Sequence, residues 1–343
     1  MNSQDYWRIR AEQLARAQHA KADHYSEGEL KLEFDRAMIE IRRYIEVFYQ
    51  RFSNNNGFIS LGDARKMLNG SELKEFNMDL ETFIMLAKDN PDGRWTQILN
   101  NVYYKVRVTR LQALQIQVEA SIQNLSTAQN KAMTALLSDV YSDTYYRTLF
   151  ELQKGVGIGA SFAKVDQKTV DTIIHRPWQE SNFSKRIWGN NTKLVQQLQT
   201  EFTQSIIRGE SSKKVAANLA ERMEVGKKSA ERLVRTEASH IQNEASFAAY
   251  KESGIVRKYE FLATLDSRTS DKCQWMDKKV FKLSEKEVGV NFPPLHVRCR
   301  STTTAYFEDE ISVGERIARG ADGKQYNVPG NMTYKQWHDK YVS

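Results

Sequence analysis

A chain of 343 residues, 40% of them hydrophobic, can bury a sizeable core, and ordinary domain sizes predict two domains. Charged residues make up 27% and mean hydropathy is -0.63, no apolar run approaches the roughly 20 residues that span a bilayer, and residues 1–10 lack an apolar signal core. A helical membrane protein is thereby excluded, and two cysteines cannot make a disulfide framework, so a soluble protein made in a cytoplasm is expected.

The net charge is +7, and residues 185–235 supply most of it, with eleven Lys or Arg against five Glu, a balance of +6. From the N-terminus, apolar residues recur at three- and four-residue spacing over 5–22 and 30–52, as in Phe34, Met38, Ile41, Ile45 and Phe48, which predicts amphipathic helices. Asn54-Asn55-Asn56-Gly57 reads as a turn, and Ser60 or Asp63 as the cap of a short helix toward Leu68. After the punctuation at Asn90-Pro91-Asp92-Gly93, residues 95–125 and 128–152 read as two long helices. Gly155-Val156-Gly157-Ile158-Gly159 has no Gly-Lys-Ser/Thr ending and no preceding strand, so it reads as a hinge and not a phosphate loop. The Ser-x-x-Lys of Ser161 to Lys164 lacks its companion catalytic motifs and is set aside.

Past Pro177, a helix over 190–207 carries Leu194, Leu198, Phe202 and Ile206 and stops at Gly209. Ser211 or Ser212 caps a shorter helix with Val215, Leu219 and Met223. Val225-Gly226 reads as a turn, and a long helix follows to Gly254. Two helices about a glycine turn match either a DNA-reading helix-turn-helix or a packed hairpin, and Ala238, Ala245, Ala248 and Ala249 suit the hairpin. Lys213, Lys214, Arg222, Lys227, Lys228 and Arg232 form a basic exterior able to neutralise phosphates without reading sequence. The interleaved Glu221, Glu224 and Glu231 suit a solvated, internally paired face equally well.

Beyond Gly254 the period changes to two. Tyr259, Phe261, Ala263 and Leu265 alternate with Lys258, Glu260, Leu262 and Thr264, which predicts a strand with one buried face, and further strands fit 279–283 and 301–307. The fold class expected is mainly α with a small C-terminal antiparallel β-sheet, an α+β arrangement with an elongated helical N-terminal region. Its divisions are a helical region 1–165, basic helices with the sheet over 166–308, and a tail 309–343.

Cys273, His296 and Cys299 are soft or borderline ligands that can hold zinc if the sheet brings Asp266, Asp277 or a water to a fourth corner; a Cys273–Cys299 disulfide and a pair of reduced buried thiols are the alternatives. Asp266 and Arg268 suit an ion pair holding a turn, with Thr269 or Ser270 capping backbone amides. Two enzymatic readings compete. In one, a metal at Cys273, His296 and Cys299 activates water near Asp266 or Glu237, as in a nuclease or deaminase. In the other, Arg235, Ser301-Thr302-Thr303 and Glu308-Asp309-Glu310 are nominal counterparts of ADP-ribosyltransferase elements.

Arg235, Thr236 and Glu237, the strand at 259–265, Asp266, Arg268, Thr269 and Cys273, and the run Pro293, Pro294, Leu295, His296, Val297, Arg298, Cys299, Arg300 together resemble the hallmark of the minor head protein family of tailed bacteriophages that includes phage Mu protein F. Tyr6-Trp7-Arg8, Arg186-Ile187-Trp188, Asn327-Val328-Pro329, Met332-Thr333-Tyr334 and Trp337 are similar to longer members from phages of Gram-positive bacteria. The chain departs from the pattern at Val297, where many members have proline, and at Ser301, where others have a third cysteine. The resemblance implies a low-copy, non-enzymatic structural component of the virion, in the head interior or at the portal vertex. Its implied role is in head morphogenesis and DNA packaging or delivery. Its implied partners are the portal protein, other head or scaffold proteins and double-stranded DNA bound without sequence specificity, with no membrane. Some members carry a C-terminal toxin or transferase domain, and residues 301–343 are expected to be too short for one.

Overall fold

Residues 4–76, 108–156, 164–308, 315–319, 325–329, 336 and 340 are described by a computed structural model. Helix α1 (Gln4–Tyr25) runs through a π-helical turn (Ser26–Leu30) into α2 (Lys31–Phe52). A short α3 (Leu61–Ala64) precedes α4 (Arg110–Val156), α5 (Gln167–Ile174), α6 (Phe183–Ile207) and α7 (Ser212–Ser253). Strand β1 (Lys258–Leu262), α8 (Asp271–Met276), β2 (Val280–Lys282) and β3 (Thr302–Tyr306) follow, and then β4 (Glu315–Arg319) and β5 (Gln325–Pro329). The small antiparallel sheet is as expected, in the order β2-β1-β3, with Glu260 opposite Val280 on one side and Thr304 on the other.

The helices differ from the sequence reading where a residue that signals a break is used for something else. Val225-Gly226 is not a turn, because α7 passes straight through it. A Cβ on Gly226 would come within 2.8 Å of the buried Leu194 side chain and 3.5 Å of Phe34, so the glycine serves a close helix approach. With no turn there is neither a helix-turn-helix nor a hairpin, and Arg235 lies inside α7. Helix α4 likewise continues past Ser126-Thr127, whose hydroxyls donate back to Ile122 O (2.8 Å) and Gln123 O (3.1 Å) and so do not compete with the helix. The expected break between 22 and 30 is a π-helical turn, with Ser26 Oγ donating to Ala22 O at 2.8 Å. Helix α6 starts earlier than 190, at Phe183, and β4 pairs with β5 inside the stretch read as a tail. Two short helices had no period long enough to show. Asp166 caps α5 by accepting from Thr169 N, and Ser270 caps α8 by accepting from Cys273 N. Ser60 caps α3 as expected, and Asn54 accepts from Asn56 N and Phe58 N in the predicted turn. The predicted turn at 90–93, the first residues of the 95–125 helix, the glycines at 157 and 159, and Met332 to Tyr334 with Trp337 lie outside the described residues.

The chain divides into two compact units, neither of them one continuous stretch. One comprises Glu27–Ala132 and Phe183–Glu231. Its core joins Phe34, Ile41, Ile45 and Phe48 of α2 to Leu194, Leu198, Phe202 and Ile206 of α6 and to Val215, Leu219 and Met223 of α7, all buried. Phe48 meets Phe202 edge to face at 5.6 Å, and buried Asn191 of α6 donates to Ser126 (2.8 Å) and Gln129 (3.1 Å) of α4.

The other unit comprises Met1–Ser26, Met133–Asn182 and Arg232–Ser343. Its larger core cluster gathers Trp7, Leu152, Phe247, Tyr250, Val256, Tyr259, Phe292 and Ala305. Here β1 corrects the one-face expectation, since Glu260 and Leu262 are as buried as Tyr259 and Phe261. Arg8 of α1 grips the Glu260 carboxylate with Nε and Nη2, both at 2.8 Å, while its Nη1 donates to Asp5 at 2.7 Å. Gln4 donates to Ala305 O of β3 at 2.9 Å.

In the same unit Gly155 faces Trp7, and an added Cβ would overlap the buried indole, which has no slack to give. Alanine gains about 1 kcal/mol over glycine in a helix, but the overlap outweighs it. Gly155→Ala is therefore expected to lose about 1–3 kcal/mol in urea unfolding, and an unchanged or higher midpoint would contradict this packing.

Candidate functional site

Three consecutive residues of α7 each reach a different element. The Arg235 Nε pairs with Asp23 Oδ1 of α1 at 2.7 Å. The Thr236 hydroxyl accepts from Arg298 N at 3.0 Å while donating to Arg232 O at 2.7 Å. Buried Glu237 accepts from the Trp178 indole N–H at 2.8 Å, and the same indole stacks on His240 with centroids 4.2 Å apart. Trp178 went unread in the sequence because it stands 59 residues from Glu237 and belongs to no periodic element.

The residues after β1 form a second anchor. Asp266 is buried, and its main partner is Arg300, not Arg268 as the sequence suggested. Arg300 binds both carboxylate oxygens, with Nη2 at 2.7 Å from Oδ1. The Arg268 guanidinium lies 3.9 Å away with its side chain 69% exposed, although its backbone N–H donates to Asp266 at 2.9 Å. Two residues behind Asp266 in sequence, Arg268 points to solvent from the turn, whereas Arg300 enters from the chain leading into β3. Burial pushes the Asp266 carboxyl up, but Arg300, the Arg268 N–H and Thr269 hold it below the usual carboxylate range. Thr269 donates to Thr264 O within the same turn.

Cys273, His296 and Cys299 do converge, with their ligand atoms all within 4.8 Å of one another. Cys273 Sγ lies 3.3 Å from His296 Nε2 and 3.7 Å from Cys299 Sγ. Helix α8 supplies the first thiol. The loop holding the cis Pro293-Pro294 bond and Arg298, whose backbone is left-handed at φ 59°, supplies the other two donors. Both thiols sit in a small apolar cluster with Phe261, Ala263, Met276 and Leu295. Hydrogen bonds from Cys273 and His296 outweigh burial and hold the Cys299 thiol well below the ordinary range. The Cys273 thiol is pushed up by its bond to Cys299 and by burial, and the His296 imidazole is raised by its bond to Cys299. Asp266 is not in this group, and Asp277 accepts from Ala263 N at 2.9 Å.

The nominal transferase elements stand apart in their bonding. Arg235 is tied to Asp23, Ser301 to Thr303 are buried at β3, Glu308 pairs with Lys258, and residues 309 and 310 lie outside the described residues. In the basic stretch, Lys213, Lys214, Arg222, Lys228 and Arg232 are exposed, and Lys227 is half-buried against Glu224 at 2.7 Å. Arg222 pairs with Glu201 at 3.2 Å.

The two candidate partners of Asp266 separate by mutation. Arg300→Ala leaves a buried carboxylate without its cation and is expected to cost about 3 kcal/mol. Arg268→Ala is expected to stay within about 0.5 kcal/mol of wild type. Urea unfolding of the two variants checks the ranking.

Residues 196–304 match the profile of the family described as Phage Mu protein F like protein. Over 249 residues the chain is 25% identical to the NAD(+)–arginine ADP-ribosyltransferase EFV of Enterococcus faecalis (strain ATCC 700802 / V583), covering 68% of this chain and 50% of that protein. Over 248 residues it is 24% identical to the minor head protein GP7 of Bacillus phage SPP1, covering 67% of this chain and 79% of that protein. The chain thus spans half the length of the enterococcal relative, and no solved structure matches it. The matched segment runs from α6 to β3 and takes in both anchors and the thiol cluster, so over residues 196–304 this chain is similar to the phage Mu protein F like family.

Proposed function

We propose that this chain is a minor head protein of a tailed bacteriophage, a structural component associated with the portal that acts in head morphogenesis and in DNA packaging or delivery. The observation that carries the reading is the match to the family over 196–304 together with likeness to a minor head protein over 79% of that protein's length. The bonding of the motif supports it. Arg235, Thr236, Glu237, Asp266 and Arg300 are each engaged in joining one element of the fold to another. A nuclease would need a carboxylate beside the thiol cluster, but Asp266 is held by Arg300 and Asp277 by a backbone amide.

The portal protein and other head components are the protein partners in this reading, and the exposed lysines and arginines of 213–232 lie against packaged DNA, touching phosphates alone. Co-expression with the portal protein of the same phage is expected to yield a complex that survives size exclusion. ADP-ribosylation of an arginine acceptor by the purified chain, or no association with portal oligomers, would overturn the assignment. Binding to random-sequence duplex DNA is expected to weaken steeply with salt, and the double variant Lys213→Glu/Lys214→Glu to flatten the log–log slope by about 1 for each phosphate no longer neutralised. Salt-independent binding, or a preferred sequence, would count against a grip on the DNA backbone.

A further inference from the structure

The three convergent donors fit one occupant better than they fit each other. A tetrahedral zinc ion, with Zn–S of about 2.3 Å and Zn–N of about 2.0–2.1 Å, sets its sulfur–sulfur edge at about 3.8 Å and its sulfur–nitrogen edge at about 3.5 Å. The thiols stand 3.7 Å apart, Cys273 Sγ stands 3.3 Å from the imidazole nitrogen, and the third edge, from Cys299 to His296, is within 4.8 Å, so two edges match the ion and the third closes on it. A disulfide would draw the sulfurs to about 2.05 Å and leave the imidazole with no role. The orientation of His296 points the same way. Its Nδ1 lies 2.8 Å from Val297 O, and a proton placed there leaves the Nε2 lone pair facing the sulfurs, the backbone-carbonyl arrangement that orients metal-ligating histidines. Two thiolates and an imidazole select zinc over the oxygen-seeking divalent ions.

We propose that Cys273, His296 and Cys299 form a zinc site that clasps α8 to the chain entering β3, an assignment that stands apart from the head-protein reading. Water takes the fourth position. His296 is only partly buried, so solvent reaches the group, and the group contains no carboxylate among the described residues. The site is structural. Three strands of five, three and five residues enclose a core too small to hold itself, and zinc closes the 26-residue span between the two cysteines.

The test uses the full chain purified under reductant without added metal. Elemental analysis is expected to find stoichiometric zinc. Exchange for cobalt is expected to give a thiolate charge-transfer band and the intense visible bands of a tetrahedral site. Cys273→Ser, Cys299→Ser and His296→Asn are each expected to lower zinc affinity about a hundredfold, measured by competition with a chromophoric chelator, while Asp266→Asn keeps the metal. If a ligand variant fails to fold, the cobalt spectrum and chelator competition of the wild-type chain decide alone. No zinc together with an octahedral cobalt spectrum overturns the proposal, as does a Cys273–Cys299 disulfide in protein from a reducing cytoplasm.

Discussion

The sheet-bearing unit depends on a carboxylate in the middle of its central strand. Glu260 is 1% exposed, and removing a charged carboxylate from water costs several kcal/mol unless its oxygens are matched. Arg8 matches both of them, and Asp5 takes one of the remaining guanidinium protons. A buried pair of this kind adds little net stability over an apolar contact, but it fits in only one geometry. It therefore fixes where α1 lies on the sheet, and with it the position of Gln4 against β3 and of Trp7 in the shared core. A three-stranded sheet with short strands would otherwise have one wet face and little to hold it.

The Arg-Thr-Glu triplet extends the same logic. Successive residues of a helix point about 100° apart, so three neighbours on α7 can address three elements at once: α1 through Arg235, the loop before β3 through Thr236, and the segment carrying Trp178 through Glu237. Asp266 and Arg300 close the remaining gap between the end of β1 and the start of β3. A run of polar residues that resembles a catalytic set by composition serves here as a set of directed joints. The specificity lies in direction and reach, which is why their spacing matters more than their acidity.

Much of this was legible in the chain. The period-two stretch from Tyr259 gave β1, and the β-favouring runs at 279–283 and 301–307 gave its two neighbours, although the alternation pointed to one buried face where β1 has two. The convergence of Cys273, His296 and Cys299 was legible from residue type alone. The partner of a charged residue was not. Local spacing offered Arg268 to Asp266, and only the antiparallel return of β3 beside β1 brings Arg300 to it. Glycine misled for a related reason. At 226 it permits a neighbouring helix to approach, a role that looks like a turn until Leu194 and Phe34 are in place. Ser126-Thr127 gave the same false break because a hydroxyl's bond to its own helix is invisible in sequence.

The Arg8–Glu260 joint also sets a timetable. Its partners are 252 residues apart, and Gln4 and Ala305 are 301 apart. At synthesis rates of about 5–20 residues per second, α1 waits roughly 10–50 s for the strand that completes it. During that interval α1 carries its ion-pairing residues and its apolar Trp7 side without their intended cover. Pairings this distant in sequence also slow folding itself, since the loop must close before any of them rewards closure. The sheet-bearing unit therefore cannot complete these contacts until α1 and the strands β1 and β3 are present together.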